Sequence, residues 1–494
     1  MRGGVALVTA ASLLLAGTAS AQGNFQNAPI GGRSALMGGT GVALARDGSA
    51  PFLNPATIIH IDDSGVAFSV NFYTLQWTTL FGFHQPGAVD PRYGQLSLPN
   101  DTLSSSRADA LPSTLCLFLT IGKWGDNTAV GDQPPSHRKG RSKLAACLGS
   151  LDKTNFDATA VGYSGISGKV SANQATSIQR FWNRIYVGPS YSYYISDRVA
   201  LGASLHGIAT TTSSTWSVDT IVQGANPATA SAFDTAMSAY SIDLGAILGL
   251  VWHIDDVQVF GASVSTPTMH LVGNYNGTTS VLTQPSQRSD NLTTWAGGFS
   301  APVPVRMSVG MGIETSRLRA EGDLSAFVPI THLAMAEVTT QTTAVNGQNS
   351  ASSTTLLMDG RPVVDAALGL EYFVRPSFSI LGGAKLDFTG LQPLQQDIAA
   401  LAQTRMHQVG LSLGIGSYGD GSELLLGTSL SYGWGQSLAY DPFVDAATQM
   451  TVPMTVINTH SYGLMFIIAG GASISAFRRT LQDLGNAVKF PERK

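Results

Sequence analysis

Nine charged residues between positions 306 and 387 are the residues of this chain most able to do chemistry. They are Arg306, Glu314, Arg319, Glu321, Asp323, Asp365, Glu371, Lys385 and Asp387. Within each strand-like run they fall on alternate positions, which places them on one face of a strand. Opposite charges on one face form ion pairs, and a basic side chain can also bind a ligand carboxylate. The pattern therefore predicts an ion-pair network through Glu314, Glu321, Asp323, Asp365, Glu371 and Asp387. It also offers candidate ligand-binding positions at Arg306, Arg319 and Lys385.

Other patterns that could indicate chemistry are weak. Gly414, Gly416 and Gly419 have the spacing of a dinucleotide-binding loop, but no helix follows them, so we interpret them as turn glycines. The nine histidines have no metal-ligand spacing, and there is no G-x-S-x-G motif. We therefore predict no enzyme activity, no metal site and no cofactor. A hydrolase with its serine and histidine on separate strands is the alternative, since such a pair needs no local motif.

The elements that carry these charges are strands with one apolar and one polar face. In residues 303–326, for example, the apolar positions are Val303, Val305, Met307, Val309, Met311 and Ile313, then Leu318, Ala320, Gly322, Leu324 and Ala326. Such alternation recurs in fourteen runs, namely 65–77, 112–122, 143–151, 184–195, 198–208, 240–254, 256–265, 302–314, 317–327, 363–374, 377–388, 406–417, 422–434 and 460–470. A soluble β-sandwich usually has shorter strands and a charged outer face. Repeated long alternation predicts an all-β fold, an antiparallel transmembrane β-barrel of about 14 strands.

The connections between these runs alternate in length, as the two ends of an outer-membrane barrel require. Short turns are predicted at Ser196-Asp197, Asp255, Thr315-Ser316, Arg375-Pro376 and Tyr418–Gly421. Long polar loops are predicted at 78–111, 152–183, 209–239, 266–301, 328–362, 389–405 and 435–459. The basic segment 123–142 breaks the alternation, and we interpret it as an insertion on the periplasmic side.

Composition agrees with an exported membrane protein. Charged residues make up 12% of the chain, and its net charge of −4 argues against a nucleic-acid partner. Residues 1–21 have the charged start, short apolar core and A-x-A end of a signal peptide. The predicted domains are then a compact Gly-rich segment at 22–63, the barrel at 64–475 and a charged periplasmic tail at 476–494.

The two cysteines, Cys116 and Cys147, both fall on the inward face of predicted strands. They lie nearly symmetrically about the segment 123–142, so they could be cross-strand neighbours. Two buried, unpaired thiols are the alternative interpretation.

The segment ahead of the first strand carries a resemblance. The small-residue run Gly32–Ala45, followed by Asn54, Pro55 and Ala56, resembles the N-terminal hatch of the long-chain fatty-acid transporter family of outer membranes. These FadL-like proteins include aromatic-hydrocarbon importers. The resemblance implies a fourteen-stranded barrel with the hatch inside its lumen. One departure is the tail, because members of the family usually end on an aromatic residue at the last strand.

The resemblance also implies a function. We expect a monomeric passive transporter in the bacterial outer membrane, surrounded by its lipid, for a hydrophobic ligand such as a long-chain fatty acid. The alternative is a barrel of the same type that acts as a secretion-associated scaffold and docks protein partners. An apolar pocket inside the barrel would favour the transporter.

Overall fold

The fold is taken from a computed structural model that describes residues 24, 29–61, 64–81, 102–121, 140–166, 170–223, 229–284, 291–329, 333–344, 349–358, 360–393, 404–440 and 454–476. The predicted signal peptide, the tail beyond Ala476 and most of the segment 123–142 lie outside these residues. None of the helices in this part of the chain has the length and apolarity to cross a bilayer.

Eighteen β-segments form one antiparallel sheet, in which the first also pairs with the last. They are β1 (Gly65–Phe81), β2 (Thr102–Ile121), β3 (Ser142–Ile166), β4 (Val170–Tyr194), β5 (Val199–Gln223), β6 (Thr229–His253), β7 (Gln258–Ser265), β8 (Met269–Gln284), β9 (Asn291–Phe299), β10 (Arg306–Glu314), β11 (Leu318–Phe327), β12 (Leu333–Ala344), β13 (Asn349–Met358), β14 (Val363–Arg375), β15 (Phe378–Asp387), β16 (Thr404–Gly419), β17 (Ser422–Tyr440) and β18 (Met454–Ser473). Pairing of β1 with β18 closes the sheet into a barrel.

Four of the barrel strands consist of two successive segments. β6 pairs with both β7 and β8, while β11 pairs with β10 and β14, and β12 pairs with β9 and β13. Counting each interrupted strand once gives fourteen, which confirms the predicted barrel. The interruptions hold prolines, at Pro267, Pro302, Pro304, Pro329 and Pro362. Proline has no N–H to give to the ladder, so a proline in each of four adjacent strands breaks the pairing there. The predicted strand 302–314 accordingly begins only at Arg306.

The apolar face of each strand points outward, as predicted. Leu368, Leu411 and Leu413 are 65%, 63% and 61% exposed, whereas Ser308 on the polar face of β10 is 2% exposed. A closed sheet with a large exposed apolar belt and a polar interior is the transmembrane type of barrel.

The predicted outer loops were largely wrong, because most of those residues continue the strands. β3, β4, β5 and β6 have 25 residues each and extend through the segments predicted as loops at 152–183 and 209–239. At roughly 3.3 Å per residue and a tilt of ~45°, such a strand rises roughly 60 Å, against ~25 Å for the apolar band. The upper wall therefore stands clear of lipid, which is why Ser and Thr are frequent there and apolar side chains do not occupy every second position.

The short turns lie where they were predicted, between β4 and β5, β6 and β7, β10 and β11, β14 and β15, and β16 and β17. At the β6–β7 turn, the carboxylate of Asp255 accepts hydrogen bonds from the backbone of Gln258 and Val257. These two bonds lower the pKa of Asp255. A side chain that bonds its own backbone in this way favours a tight turn.

Residues 29–61, called the lumenal segment below, lie inside the barrel. They contain two helices of four residues, α1 (Arg33–Leu36) and α2 (Ala50–Leu53), and the 3₁₀ helix Pro55–His60. Leu36 packs with Leu425 of β17, whereas Ile59 packs with Val251 of β6. The segment thus contacts walls that are far apart in the strand order.

Cys116 of β2 and Cys147 of β3 are direct cross-strand partners and form a disulfide, with their Cα atoms 4.2 Å apart. Their side chains are buried in a cluster with Ala50 and Phe52 of the lumenal segment. Of the two interpretations left open by the sequence, the bonded cross-strand pair is the one found.

Candidate functional site

Glycines on the inner wall let the lumenal segment lie directly against the strands. A Cβ atom on Gly261 of β7 would be 2.0 Å from the carbonyl oxygen of Val42. One on Gly383 of β15 would be 2.1 Å from the amide nitrogen of Gly38. Any other residue at these positions would displace the segment, so the fit depends on the missing side chains.

Asn54 joins two parts of the lumenal segment to each other and to the wall. Its Nδ2 donates to the carbonyl oxygens of Val42 at 2.6 Å and of Leu250 on β6 at 3.0 Å. Its Oδ1 accepts from the backbone N–H of Ala56 at 3.1 Å, which caps the 3₁₀ helix that Pro55 begins. The carbonyl of Ala56 in turn accepts from Ser192 of β4.

Five charged side chains form a continuous chain of ion pairs between the lumenal segment and the wall. Glu371 binds Arg33 at 3.5 Å and Arg319 at 3.3 Å. Glu314 binds Arg319 at 2.8 Å and Arg46 at 2.5 Å. Arg319 is therefore neutralised by two carboxylates, which favours the structural role over the ligand-binding role for this residue.

The arginines of the lumenal segment are site residues that the sequence analysis missed. Besides Glu371, Arg33 binds Glu423 of β17 at 3.1 Å and stacks over the ring of Tyr418. No periodicity marks either Arg33 or Arg46. The available signal was that they are the basic residues of an otherwise small and apolar run.

Lys385 and three aspartates, Asp323, Asp365 and Asp387, line a polar cavity beside the lumenal segment. Lys385 Nζ lies 4.0 Å from Asp387 Oδ2, and Asp387 Oδ1 accepts a hydrogen bond from Asn24 at 2.7 Å. Asp365 accepts one from the backbone of Phe388 at 2.8 Å. The cavity has a free volume of about 80 Å³, which is room for several waters. Lys385 is thus engaged with carboxylates on its own side of the barrel.

Glu321 and Asp323 of β11 bind backbone rather than cations. Glu321 Oε1 accepts from the N–H groups of Ala43 and Leu44 at 2.5 and 3.1 Å. Asp323 Oδ2 accepts from those of Gly41 and Val42 at 2.8 and 3.1 Å. The predicted lumen network is therefore divided into an ion-pair chain and a second group, in which this acidic pair adjoins the cavity around Lys385 through Asp323.

Arg306 of β10 is a buried basic side chain that forms no ion pair with a carboxylate among the described residues. It is 5% exposed, and its Nη2 donates to the carbonyl oxygen of Phe52 at 2.6 Å. Its Nε has no hydrogen-bond partner in the described part of the chain. A buried guanidinium without a counter-charge lowers the stability of the folded protein. Binding of a ligand anion next to it would therefore be favourable.

The surroundings of Arg306 are mainly apolar. It lines a pocket at the level of the strand interruptions, with Leu151, Tyr186, Ile208, Ile247, Val303 and Phe327. The free volume is about 30 Å³, enough for a water molecule but not for an alkyl chain. Phe52 packs against Tyr186 and His206, which also line the pocket. A larger ligand can therefore be accommodated only if residues around the pocket move, and Phe52 packs against two of them.

A second apolar region lies beyond the interruptions, in the half of the barrel away from the short turns. Its buried side chains include Trp182, Met237, Tyr275, Phe299 and Met335, with Trp295 packed against them. Tyr275 is 0% exposed, and its hydroxyl has no hydrogen-bond partner among the described residues. Aromatic and methionine side chains provide an adaptable surface for apolar molecules.

Within the described residues there is no cluster of histidine, cysteine, aspartate or glutamate that could hold a metal ion. What the arrangement offers is therefore binding: two apolar regions, a buried guanidinium in one of them, and a lumenal segment held by polar contacts around its length.

Comparison with known proteins identifies the fold. No protein-family model and no curated protein sequence matches the chain. Among solved structures, it is similar to a FadL homologue of Pseudomonas aeruginosa, with 15% identity, a TM-score of 0.53 and coverage of 93% of this chain and 100% of that one. It is also similar to the monoaromatic hydrocarbon channel CymD, with 13% identity, a TM-score of 0.53 and coverage of 90% and 97%.

A third similar structure is the P. putida toluene transporter TodX, with 12% identity, a TM-score of 0.53 and coverage of 90% and 98%. Each alignment spans nearly the whole of both chains. The chain therefore has the fold of the FadL homologues and the aromatic-hydrocarbon channels, a closed fourteen-stranded transmembrane barrel.

Proposed function

We propose that this protein is a passive channel of the bacterial outer membrane that imports hydrophobic small molecules, with long-chain fatty acids as its first ligands. The transmembrane barrel and its likeness to hydrocarbon channels and to a FadL homologue support the general function. Two buried apolar regions inside the barrel supply surfaces for such molecules. They favour a transporter over a scaffold that docks protein partners.

The observation that carries the choice of fatty acids is Arg306. A neutral hydrocarbon would gain nothing from a buried cation, whereas a carboxylate would neutralise it. The apolar lining beside it suits the alkyl chain of the same molecule. An amphiphilic carboxylate is the ligand that uses both features.

The lumenal segment acts in this proposal as the hatch, with its boundaries at residues 22–63. In the present conformation, the guanidinium of Arg306 donates a hydrogen bond to the carbonyl oxygen of Phe52. The carboxylate of an incoming ligand would replace this carbonyl oxygen as the acceptor, and the accompanying movement of Phe52 would enlarge the pocket. Entry of the ligand and displacement of the hatch are then one event.

Aromatic hydrocarbons are the second candidate ligands. The region around Trp182, Tyr275 and Phe299 favours them, because aromatic rings pack well against one another. A fatty acid would need the charge of Arg306 and an aromatic hydrocarbon would not. One substitution at this position therefore distinguishes the two ligand classes.

The test replaces Arg306 by methionine, which keeps a flexible, unbranched side chain, although a shorter one, and removes the charge. Binding of oleate and of toluene to the purified barrel is measured for the wild type, R306M and the charge-preserving R306K. A hydrogen bond to a charged group contributes about 1.5–3 kcal/mol, so R306M should weaken oleate binding by about tenfold to a hundredfold. Toluene binding should be unchanged.

The matched control is R319M, because Arg319 is already neutralised by Glu314 and Glu371. It should leave oleate affinity near that of the wild type. Equal losses for oleate and toluene in R306M would contradict a carboxylate site at Arg306. A wild-type barrel that binds toluene but not oleate would exclude fatty acids and leave the aromatic alternative.

A further inference from the structure

Two buried carboxyl groups hold four consecutive N–H groups of the lumenal segment, and no cation of the described residues forms an ion pair with them. Glu321 and Asp323 are 5% and 6% exposed and stand two positions apart on the inner face of β11. Their cross-strand neighbours on β10 and β14 have no charge, being Gly312, Gly369, Gly310 and Ala367. Within the described residues neither carboxyl group has an ion-pair partner.

Charged groups on the neighbouring elements are engaged elsewhere. Lys385, which lines the same cavity as Asp323, lies 4.0 Å from Asp387, and Asp365 in that cavity accepts from the backbone of Phe388. On β11 itself, Arg319 binds Glu314 and Glu371. In the lumenal segment, Arg46 binds Glu314, while the carboxylate of Asp47 accepts from the N–H groups of Arg33, Ser34 and Ser49. None of these groups is left to neutralise the acidic pair.

The geometry favours a proton between the two carboxyl groups. They stand two positions apart on the inner face of β11, and the buried Asp323 Oδ1 has no hydrogen-bond partner among the described residues. Two adjacent ionised carboxylates in a buried site repel strongly, and such pairs retain one proton. A proton carried by Glu321 would offer a donor to Asp323 Oδ1, while Glu321 Oε1 and Asp323 Oδ2 accept from the four N–H groups.

The stretch held by this pair is built to move. Gly38 and Gly39 precede it with φ angles of 72° and 90°, a bend that glycine adopts without strain. Both line the cavity of about 80 Å³, whose room for several waters gives the backbone space to enter. On the other side, Asn54 ties Val42 to the residues after Phe52. Displacement of Gly41–Leu44 would therefore be transmitted to Phe52 and to Arg306.

We infer that Glu321 and Asp323 share one proton and form a latch that holds Gly41–Leu44 against the wall, keeping the pocket at Arg306 closed. The inference rests on the proposed function, since it assigns to the lumenal segment the role of a hatch. The two residues are positioning residues, because they act on the pocket through the backbone that they hold.

The experiment measures ion conductance of single barrels in planar lipid bilayers. Removing both acceptors in E321A/D323A should raise the fraction of time spent in a conducting state by about tenfold or more, because four hydrogen bonds are lost. E321Q imitates the protonated carboxyl group and should stay closed like the wild type. S325A is the matched control, since Ser325 is the next inward residue on β11 and bonds Ser308 rather than the lumenal segment.

If the double variant yields no folded barrel, D323A alone removes two of the four contacts and should give an intermediate increase. Unchanged conductance in a folded E321A/D323A or D323A barrel would overturn the latch. Opening of E321Q to the level of the double variant would overturn the shared proton. Infrared spectroscopy checks that proton directly, because the wild type should have a protonated-carboxyl band that is weaker in E321Q.

These outcomes are separate from those at Arg306. Oleate binding that fails in the wild type rejects the fatty-acid function, whatever the latch variants do. Latch variants that stay closed reject the latch, even where R306M weakens oleate binding.

Discussion

At the scale of single residues, the side chains that matter most inside the barrel are those whose partners lie far away in the sequence. The alternation of side chains along a strand is enough to predict that Glu321, Asp323 and Glu371 face inward. It cannot predict that Glu371 binds Arg33, or that Glu321 binds the backbone of Ala43. Those contacts depend on where the lumenal segment crosses each strand.

Glycine at position 261 provides a test of that crossing. Because a Cβ there would be 2.0 Å from the carbonyl oxygen of Val42, Gly261→Ala should push the lumenal segment off the wall and increase leakage of small solutes. Swelling of liposomes that contain the barrel measures this leakage. Gly298→Ala on β9 is the control, because no atom lies within 4 Å of its Cβ position. Equal leakage in both variants would contradict the proposed contact.

At the scale of elements, the hairpin β10–β11 combines a lipid face and a lumen face on two short strands. Leu324 is 53% exposed on the outside, while Ser325, the next residue, bonds Ser308 inside at 2.7 Å. The sequence predicted these faces because lipid requires apolar residues at every second position. Above the apolar band both faces can be polar, so the upper strands left no alternating pattern and were predicted as loops.

Arginine substitutions on the two faces should therefore have unequal costs. Leu324→Arg places a charge in lipid and should lower the free energy of unfolding by about 2–4 kcal/mol if the site is near the bilayer midplane. Ser325→Arg faces the polar cavity and should cost much less. Denaturant unfolding of the two variants in liposomes gives the comparison. Equal losses would contradict the assignment of faces in this hairpin.

At the scale of the whole molecule, the barrel depends on pairing between its first and last strands, and a disulfide secures the strands beside that closure. Cys116–Cys147 joins β2 to β3 across a sequence separation of 31 residues. A bond that closes a loop of this length restricts the unfolded chain. The other described hairpins at this end have short turns and need no such restraint.

Removal of this bond in C116A/C147A should lower the free energy of unfolding by about 3–4 kcal/mol. Heat- and denaturant-dependent gel mobility of the oxidised barrel measures the change. Reductant should bring the wild type toward the variant and leave the variant unaffected. A wild type insensitive to reductant, or a variant as stable as the oxidised wild type, would contradict a stabilising role for the bond.

The sequence alone determined the strand count, the outward faces and the short turns, because lipid and water impose opposite requirements on alternate residues. It also marked the inward charges among which the candidate site lies. The tertiary structure decided which of those charges remains unneutralised. Arg306, Arg319 and Lys385 are equivalent by spacing, but only in the folded barrel do Glu314 and Glu371 reach Arg319, and Asp387 approach Lys385, while Arg306 meets a backbone carbonyl. Such contacts depend on long-range register and on the path of the lumenal segment, neither of which has a local pattern.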